Sequence, residues 1–299
     1  MFKNVLVGVD GGPNGRDAIT LASRLVAADG KLTLAHVHSG NLHPLHAVEP
    51  GVVNQEHDAS VKLLEGERHT AELEDASLAS IVARSPGAGL HTRAEEQDAD
   101  LIVVGSCSRS ALGRVMLGDD TRAALNGAPC AVAIAQRGYA EHPTPLAKIG
   151  VAYNGSPESE SALDCARDVA APTRASILAL EVVAIPTYAY TGLMVPTAGG
   201  GLDEILADAN TRMQKLEGVE GRAVYGLSGE ELAAFGDEVD LLVIGSRSYG
   251  PVKRLVIGST SDYLERHARC GLLVLPRAAT AAKDEASDGS ESLQAPAGA

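Results

Sequence analysis

Apolar residues run along this chain in two rhythms. Short unbroken runs such as Val5-Leu6-Val7 and Leu101-Ile102-Val103-Val104 lack polar alternation, which suits strands buried on both faces of a sheet. Five such strands are predicted in the first half, near residues 3–9, 31–38, 77–83, 101–104 and 130–135. Between them the spacing is helical: Asn14 to Ala28, with Ala18, Leu21, Ala22 and Leu25 on one stripe, then Gln55 to Leu73, Ala88 to Gln97 and Arg114 to Leu125. Strand and helix alternate throughout.

The pattern then repeats. Val5–Pro13 returns as Ile149–Pro157, each an apolar run closed by Asp10 or Asn154, a glycine and a proline, an offset of 144 between residues 10 and 154. Asp100–Ser106 returns as Asp240–Ser246, and the run after Cys130 returns after Cys270, each at an offset of 140. A drift of a few residues is what loop variation produces between two copies of one domain. The expected organisation is domain 1 over residues 1–138, a linker over 139–147 and domain 2 over 148–277. A tail over 278–299, rich in Ala, Ser, Asp, Glu and Gly, is expected to be disordered.

Alternating strands and helices in each copy predict an α/β fold: two tandem doubly wound domains, each a five-stranded parallel sheet with helices on both faces. Length agrees, since 299 residues suit two domains better than one. With Trp absent and aromatics at 3%, the core must be made of Ala, Val, Leu and Ile. A net charge of -14 repels a phosphate backbone, so nucleic acid is excluded as the expected partner. No apolar stretch is long enough for a membrane span and no leader pattern opens the chain, so a cytoplasmic protein is expected. Four cysteines without metal-ligand spacing read as reduced thiols.

In doubly wound domains, ligands bind at the carboxyl ends of the strands. The loop after the fourth strand of the second copy reads Gly245-Ser246-Arg247-Ser248-Tyr249-Gly250-Pro251, and Gly258-Ser259-Thr260 follows before a predicted helix. Small residues admit a phosphate to the backbone, and hydroxyls at a helix amino end add donors. The plainer alternative is that these residues only turn the chain.

These residues resemble the universal stress protein family in a tandem form, over residues 2–276. Its nucleotide-binding members carry a glycine, two residues, a glycine, nine residues, then glycine and a hydroxyl residue. Here Gly245, Ser248, Gly258 and Ser259 keep that spacing, with serine for the second glycine. Copy one keeps it with Gly105, Ser108 and Gly118, but places Asp119 at the hydroxyl position. The resemblance implies a Rossmann-like, adenine nucleotide alpha hydrolase-like fold. It puts the acid that meets the nucleoside on Asp10 and Asn154, and the residue whose backbone reads adenine on Val37 and Val182. It also implies ATP or AMP as ligand, with Mg²⁺ as an accompanying ion, and an unidentified protein partner.

Asn154 keeps an acceptor for a ribose or adenine donor, whereas an ionised Asp119 faces a polyphosphate with like charge, a repulsion of about 4 kcal/mol at 4 Å and an effective dielectric near 20. The better site is therefore expected in copy two. Arg109 and Arg247 flank the loops and are further phosphate candidates. The cluster His36, His38, His43, His46 and His57 lacks a recognisable metal spacing, and His36 is read as structural. Cys107 is the one thiol beside a loop; Cys130 and Cys270 are read as small core residues. No nucleophile elbow, phosphate-loop lysine or zincin motif occurs, so at most a weak ATPase is expected. A nucleotide-free scaffold is the remaining alternative. The last strands, Ala131–Ala135 and Gly271–Leu275, are expected to pair within the chain as a pseudo-dimer, and a homodimer of such units is a further expectation.

Overall fold

The computed structural model describes residues 1–39, 50–106, 124, 126–184, 201–246, 255 and 258–276. Ten strands form one sheet in the order β3-β2-β1-β4-β5-β10-β9-β6-β7-β8. In chain order β1 to β5 span Phe2–Gly8, Val26–His38, Ser77–Val82, Leu101–Gly105 and Ala131–Ala135. The second set, β6 to β10, spans Lys148–Ala152, Ser176–Ala184, Glu220–Gly226, Leu241–Gly245 and Gly271–Leu275. Within each half all pairings are parallel, as expected. The halves join through β5 and β10, which run antiparallel with Val132 opposite Val274 and Ile134 opposite Leu272. The predicted internal pairing is therefore present.

Seven helices among the described residues cover the sheet: α1 Pro13–Leu25, α2 Pro50–Thr70, α3 Pro86–Glu96, α4 Pro157–Ala170, α5 Gly201–Gln214, α6 Ser228–Phe235 and α7 Ser259–His267. The unbroken apolar runs explain why both faces are covered. Along β1, Val5 and Val7 pack in the core beneath α1 and α2, while Leu6 points to the opposite core with Leu90 of α3. The same two cores continue through the second half, under α4 and α5 on one face and α6 and α7 on the other. The predicted stripe of α1 is buried, with Ala18, Leu21, Ala22 and Leu25 at 1% exposure or less.

Two expectations change. Helix α1 stops at Leu25, not Ala28, because Val26 turns to extended backbone and begins β2. There the register to β1 slips between Phe2 and Asn4, and Gly30 fits because a Cβ would lie 2.8 Å from Val26 and 3.1 Å from the Phe2 carbonyl. The joint at 139–147 is also no plain extended tether. The buried Asp17 carboxylate of α1 accepts the Gly138 and Ala140 amides at 2.9 and 2.7 Å, folding the chain into a turn. Tyr139 and Leu146 are each 3% exposed, and the Tyr139 hydroxyl donates to the Thr144 carbonyl at 2.7 Å. The predicted helix over 114–125 lies almost wholly outside the described residues.

Candidate functional site

Strand order reverses in the second half between β6, which leads outward to β7, and β9, which leads inward to β10. Their ladder pairs Ile149 to Val151 with Leu241 to Val243, and beyond it the two chains part because neither crossover bridges them. Tyr153 leaves instead toward β7, its amide donating to the Leu180 carbonyl at 3.0 Å, while the Ser246 amide donates to the Leu275 carbonyl of β10 at 2.9 Å. The crevice so opened is a cavity of about 400 Å³.

Six of the residues singled out by sequence line it: Asn154, Val182, Gly245, Ser246, Gly258 and Thr260. Ser259 opens α7 between two of them. Arg247 and Ser248 lie outside the described residues. Leu180, Val182, Leu232 and Ile244 give the cavity an apolar flank, and Ser156, Ser159, Ser228, Ser246, Thr260 and Ser261 supply hydroxyl groups. Of the lining residues, Leu180, Leu232, Ile244, Glu158, Ser159, Ser228 and Ser261 were not singled out, because a position on a core-facing strand or helix turn carries no local signal. Ser228, the first residue of α6, was the most findable, because serine is a common residue at helix starts.

The polar walls are partly committed to their own backbone. Asn154 Oδ1 accepts the Ser156 amide at 3.0 Å, Ser156 caps α4 through the Ser159 amide at 3.3 Å, and Ser159 donates back to the Ser156 carbonyl at 2.8 Å. Ser246 differs: its Oγ is buried and has no hydrogen-bond partner among the described residues. Such an orphaned hydroxyl costs about 1–3 kcal/mol unless something meets it. Gly245 answers to a second demand besides ligand access, since a Cβ there would lie 2.7 Å from the Glu158 carbonyl oxygen of α4.

Beneath the cavity, on the α4 side of the sheet, the Tyr153 hydroxyl donates to Glu160 and Arg212 donates to Glu181 at 2.6 Å. Burial and the Glu160 carboxylate push the Tyr153 phenol up to about 12, so it stays neutral at ordinary pH. The Cys130 and Cys270 thiols are also pushed up to about 12, chiefly by burial, which fits core residues. Cys107 and Arg109 lie outside the described residues.

In the first half, Asp10, Val37 and Gly105 hold the matching places. Asp10 Oδ1 accepts the Gly12 and Gly15 amides at 2.9 and 3.2 Å, so this carboxylate closes its own loop. Val37 packs against α3, where a Cβ on Gly89 would approach it to 2.9 Å. Gly105 is closer to its helix than Gly245, with a Cβ only 2.1 Å from the Asn14 carbonyl oxygen. Ser106, like Ser246, has a buried Oγ without a partner among the described residues. Ser108, Gly118, Asp119, His43 and His46 lie outside the described residues, and His36 bonds the Val9 carbonyl at 2.7 Å through Nδ1.

Two doubly wound units in tandem, the second with a cavity at its switch point, define the class of protein. The chain belongs to the universal stress protein family, which matches residues 1–136 and again 146–276. A universal stress protein of Mycobacterium bovis is 29% identical over 184 residues, 59% of this chain and 62% of that relative's own length. Another, of Mycobacterium tuberculosis, is 25% identical over 286 residues, 90% of this chain and 95% of the relative. The solved structure of a universal stress protein from Archaeoglobus fulgidus superposes with a TM-score of 0.62 at 17% identity, covering 92% of this chain and 97% of its own. That likeness shows the fold. Among the described residues no helix is long and apolar enough to cross a membrane.

Proposed function

We propose that the second half binds an adenine nucleotide, ATP or AMP, and that the protein is a cytoplasmic regulatory stress-response module whose bound state is read by a protein partner. The carrying observation is convergence: six residues separated by up to 106 positions, from Asn154 to Thr260, line one cavity at the switch point. The apolar flank fits a purine. The hydroxyl groups and the amino end of α7 fit ribose and phosphate, and the orphaned Ser246 Oγ supplies a donor that lacks an acceptor. Mg²⁺ binds through phosphates and one or two protein oxygens, and Asn154 and Glu158 provide oxygen-bearing side chains at the wall.

Calorimetric titration of ATP with Mg²⁺ tests the reading, with Ser259→Asp as the variant. An aspartate in the first turn of α7 suits the helix dipole, so folding is preserved while phosphate is repelled. The expected result is about one site per intact chain, lost in Ser259→Asp. No heat and no thermal shift in the unsubstituted chain would leave a nucleotide-free scaffold.

A further inference from the structure

Leu255 precedes Gly258 of the cavity by three residues in sequence, yet the first half holds its backbone. The Gly127 amide donates to the Leu255 carbonyl at 2.9 Å, and the Leu255 amide donates to the Ala128 carbonyl at 3.0 Å. Two backbone bonds, made to adjacent residues, fix a segment in both position and orientation. The Leu255 side chain is fully buried in the core that also holds Ala124, Ala128 and Cys270. Gly127 makes the turn possible: its φ of +87° is left-handed backbone that glycine adopts without strain. The turn is braced from behind, because His91 Nε2 of α3 pairs with the Ala124 carbonyl at 2.8 Å.

The geometry points to a nucleotide site in the second half that the first half completes, with Gly127 as a positioning residue acting through Leu255 on Gly258 and α7. This inference rests on the nucleotide reading above and adds the regulation of that site. Three residues reach no further than about 10 Å, so the held position of Leu255 bounds where the amino end of α7 can lie. An anchor at Leu255 that is made before binding leaves less ordering entropy for the ligand to meet. One half then sets the affinity of the other.

The test uses the full chain, unsubstituted and as Gly127→Ala and Gly127→Asn. Space does not limit alanine there, since the nearest atom to its Cβ is His91 Cε1 at 3.9 Å, so the variant probes backbone conformation alone. Asparagine tolerates the left-handed region and serves as the rescue. Hydrogen exchange at the Leu255 amide and titration with ATP and Mg²⁺ are measured on each. Gly127→Ala is expected to speed exchange at Leu255 and to weaken ATP binding about fivefold, with Gly127→Asn close to the unsubstituted chain. Unchanged ATP affinity in Gly127→Ala overturns the coupling alone, as does unchanged Leu255 exchange. Absence of binding by the unsubstituted chain overturns both this inference and the nucleotide reading.

Discussion

In the first half Arg16 on α1 grips Glu67 on α2 through three hydrogen bonds of 3.1–3.2 Å. In the second half the signs are exchanged: Glu160 stands on α4 where α1 has Arg16, and Arg212 stands on α5 where α2 has Glu67. Those two no longer meet each other. Arg212 turns to Glu181 of β7 and Glu160 takes the Tyr153 hydroxyl, at positions filled by His36 and Val9 in the first half. The apolar layer shows a matching exchange. Leu6 of β1 corresponds to Gly150 of β6, where a Cβ would crowd Phe235 of α6 at 3.0 Å, so an aromatic ring from the helix fills what the strand fills elsewhere. Strand order and covered faces are the same in both halves. The difference teaches that ladder and apolar periodicity carry this fold, while buried polar pairs can be rewired if each acid keeps a cation or a donor.

The largest expected effect comes from the two strand-end glycines. Gly105→Ala is expected to cost about 3 kcal/mol and Gly245→Ala about 2 kcal/mol, because the intruding methyl meets helix backbone at 2.1 Å in one case and 2.7 Å in the other. Urea denaturation followed by circular dichroism measures both, and equal costs would break the asymmetry. The rewired acids come next. Glu67 uses both oxygens, whereas Glu181 Oε2 is buried without a partner among the described residues. Glu67→Gln should therefore cost about 2 kcal/mol and Glu181→Gln less than about 1 kcal/mol. These stay low because Arg16 and Arg212 are about half exposed, at 51% and 49%, and water shares their charge. A larger loss for Glu181→Gln would contradict the hydrogen-bond count.

The smallest effect is a matter of slope. Burial lifts Asp17 above the usual carboxylate range, against the pull of the Gly138 and Ala140 amides, with Glu141 adding to the rise and Arg137 opposing it. The folded chain thus keeps this proton to higher pH than the unfolded chain, and the Asp17 contribution to stability falls as pH rises above 3.8. The second half has Ser161 at that place and no such dependence. Asp17→Asn should remove that falling component from a stability profile taken upward from pH 4; a profile superposing on that of the unsubstituted chain would show the carboxylate to be silent.

The repeat, the strands and the stripe of α1 were legible because each rests on periodicity, which burial on two faces writes directly into neighbouring residues. Gly245, Ser246, Gly258 and Thr260 were legible because loop and helix-start chemistry is local, and Asn154 and Val182 through the family resemblance. What escaped was set by distance. The Asp100 and Asp240 carboxylates, noticed only as the heads of repeated runs, brace the starts of β1 and β6 by accepting the amides of Lys3 and Asn4 and of Ala147 and Lys148, 92 to 97 residues away. Tyr139 looked like linker because nothing nearby in sequence shows that Asp17 folds the chain over it. The slip of β2 at Val26 was hidden because Val26 continues an apolar helical rhythm, and only pairing with Phe2 turns it into strand.

The seam between β5 and β10 has a consequence for synthesis. Ile134 must wait for Leu272, made 138 residues later, which at about 5–20 residues per second is roughly 7–28 s of elongation. Over that interval the sequence Ala-Val-Ala-Ile-Ala stands as a sheet edge without charge, proline or bulge to guard it. A neighbouring nascent chain offers the same edge, and two unfinished copies can pair there as readily as the finished halves do. Slow elongation through the second half is thus the condition under which this protein is most exposed to strand exchange between ribosomes.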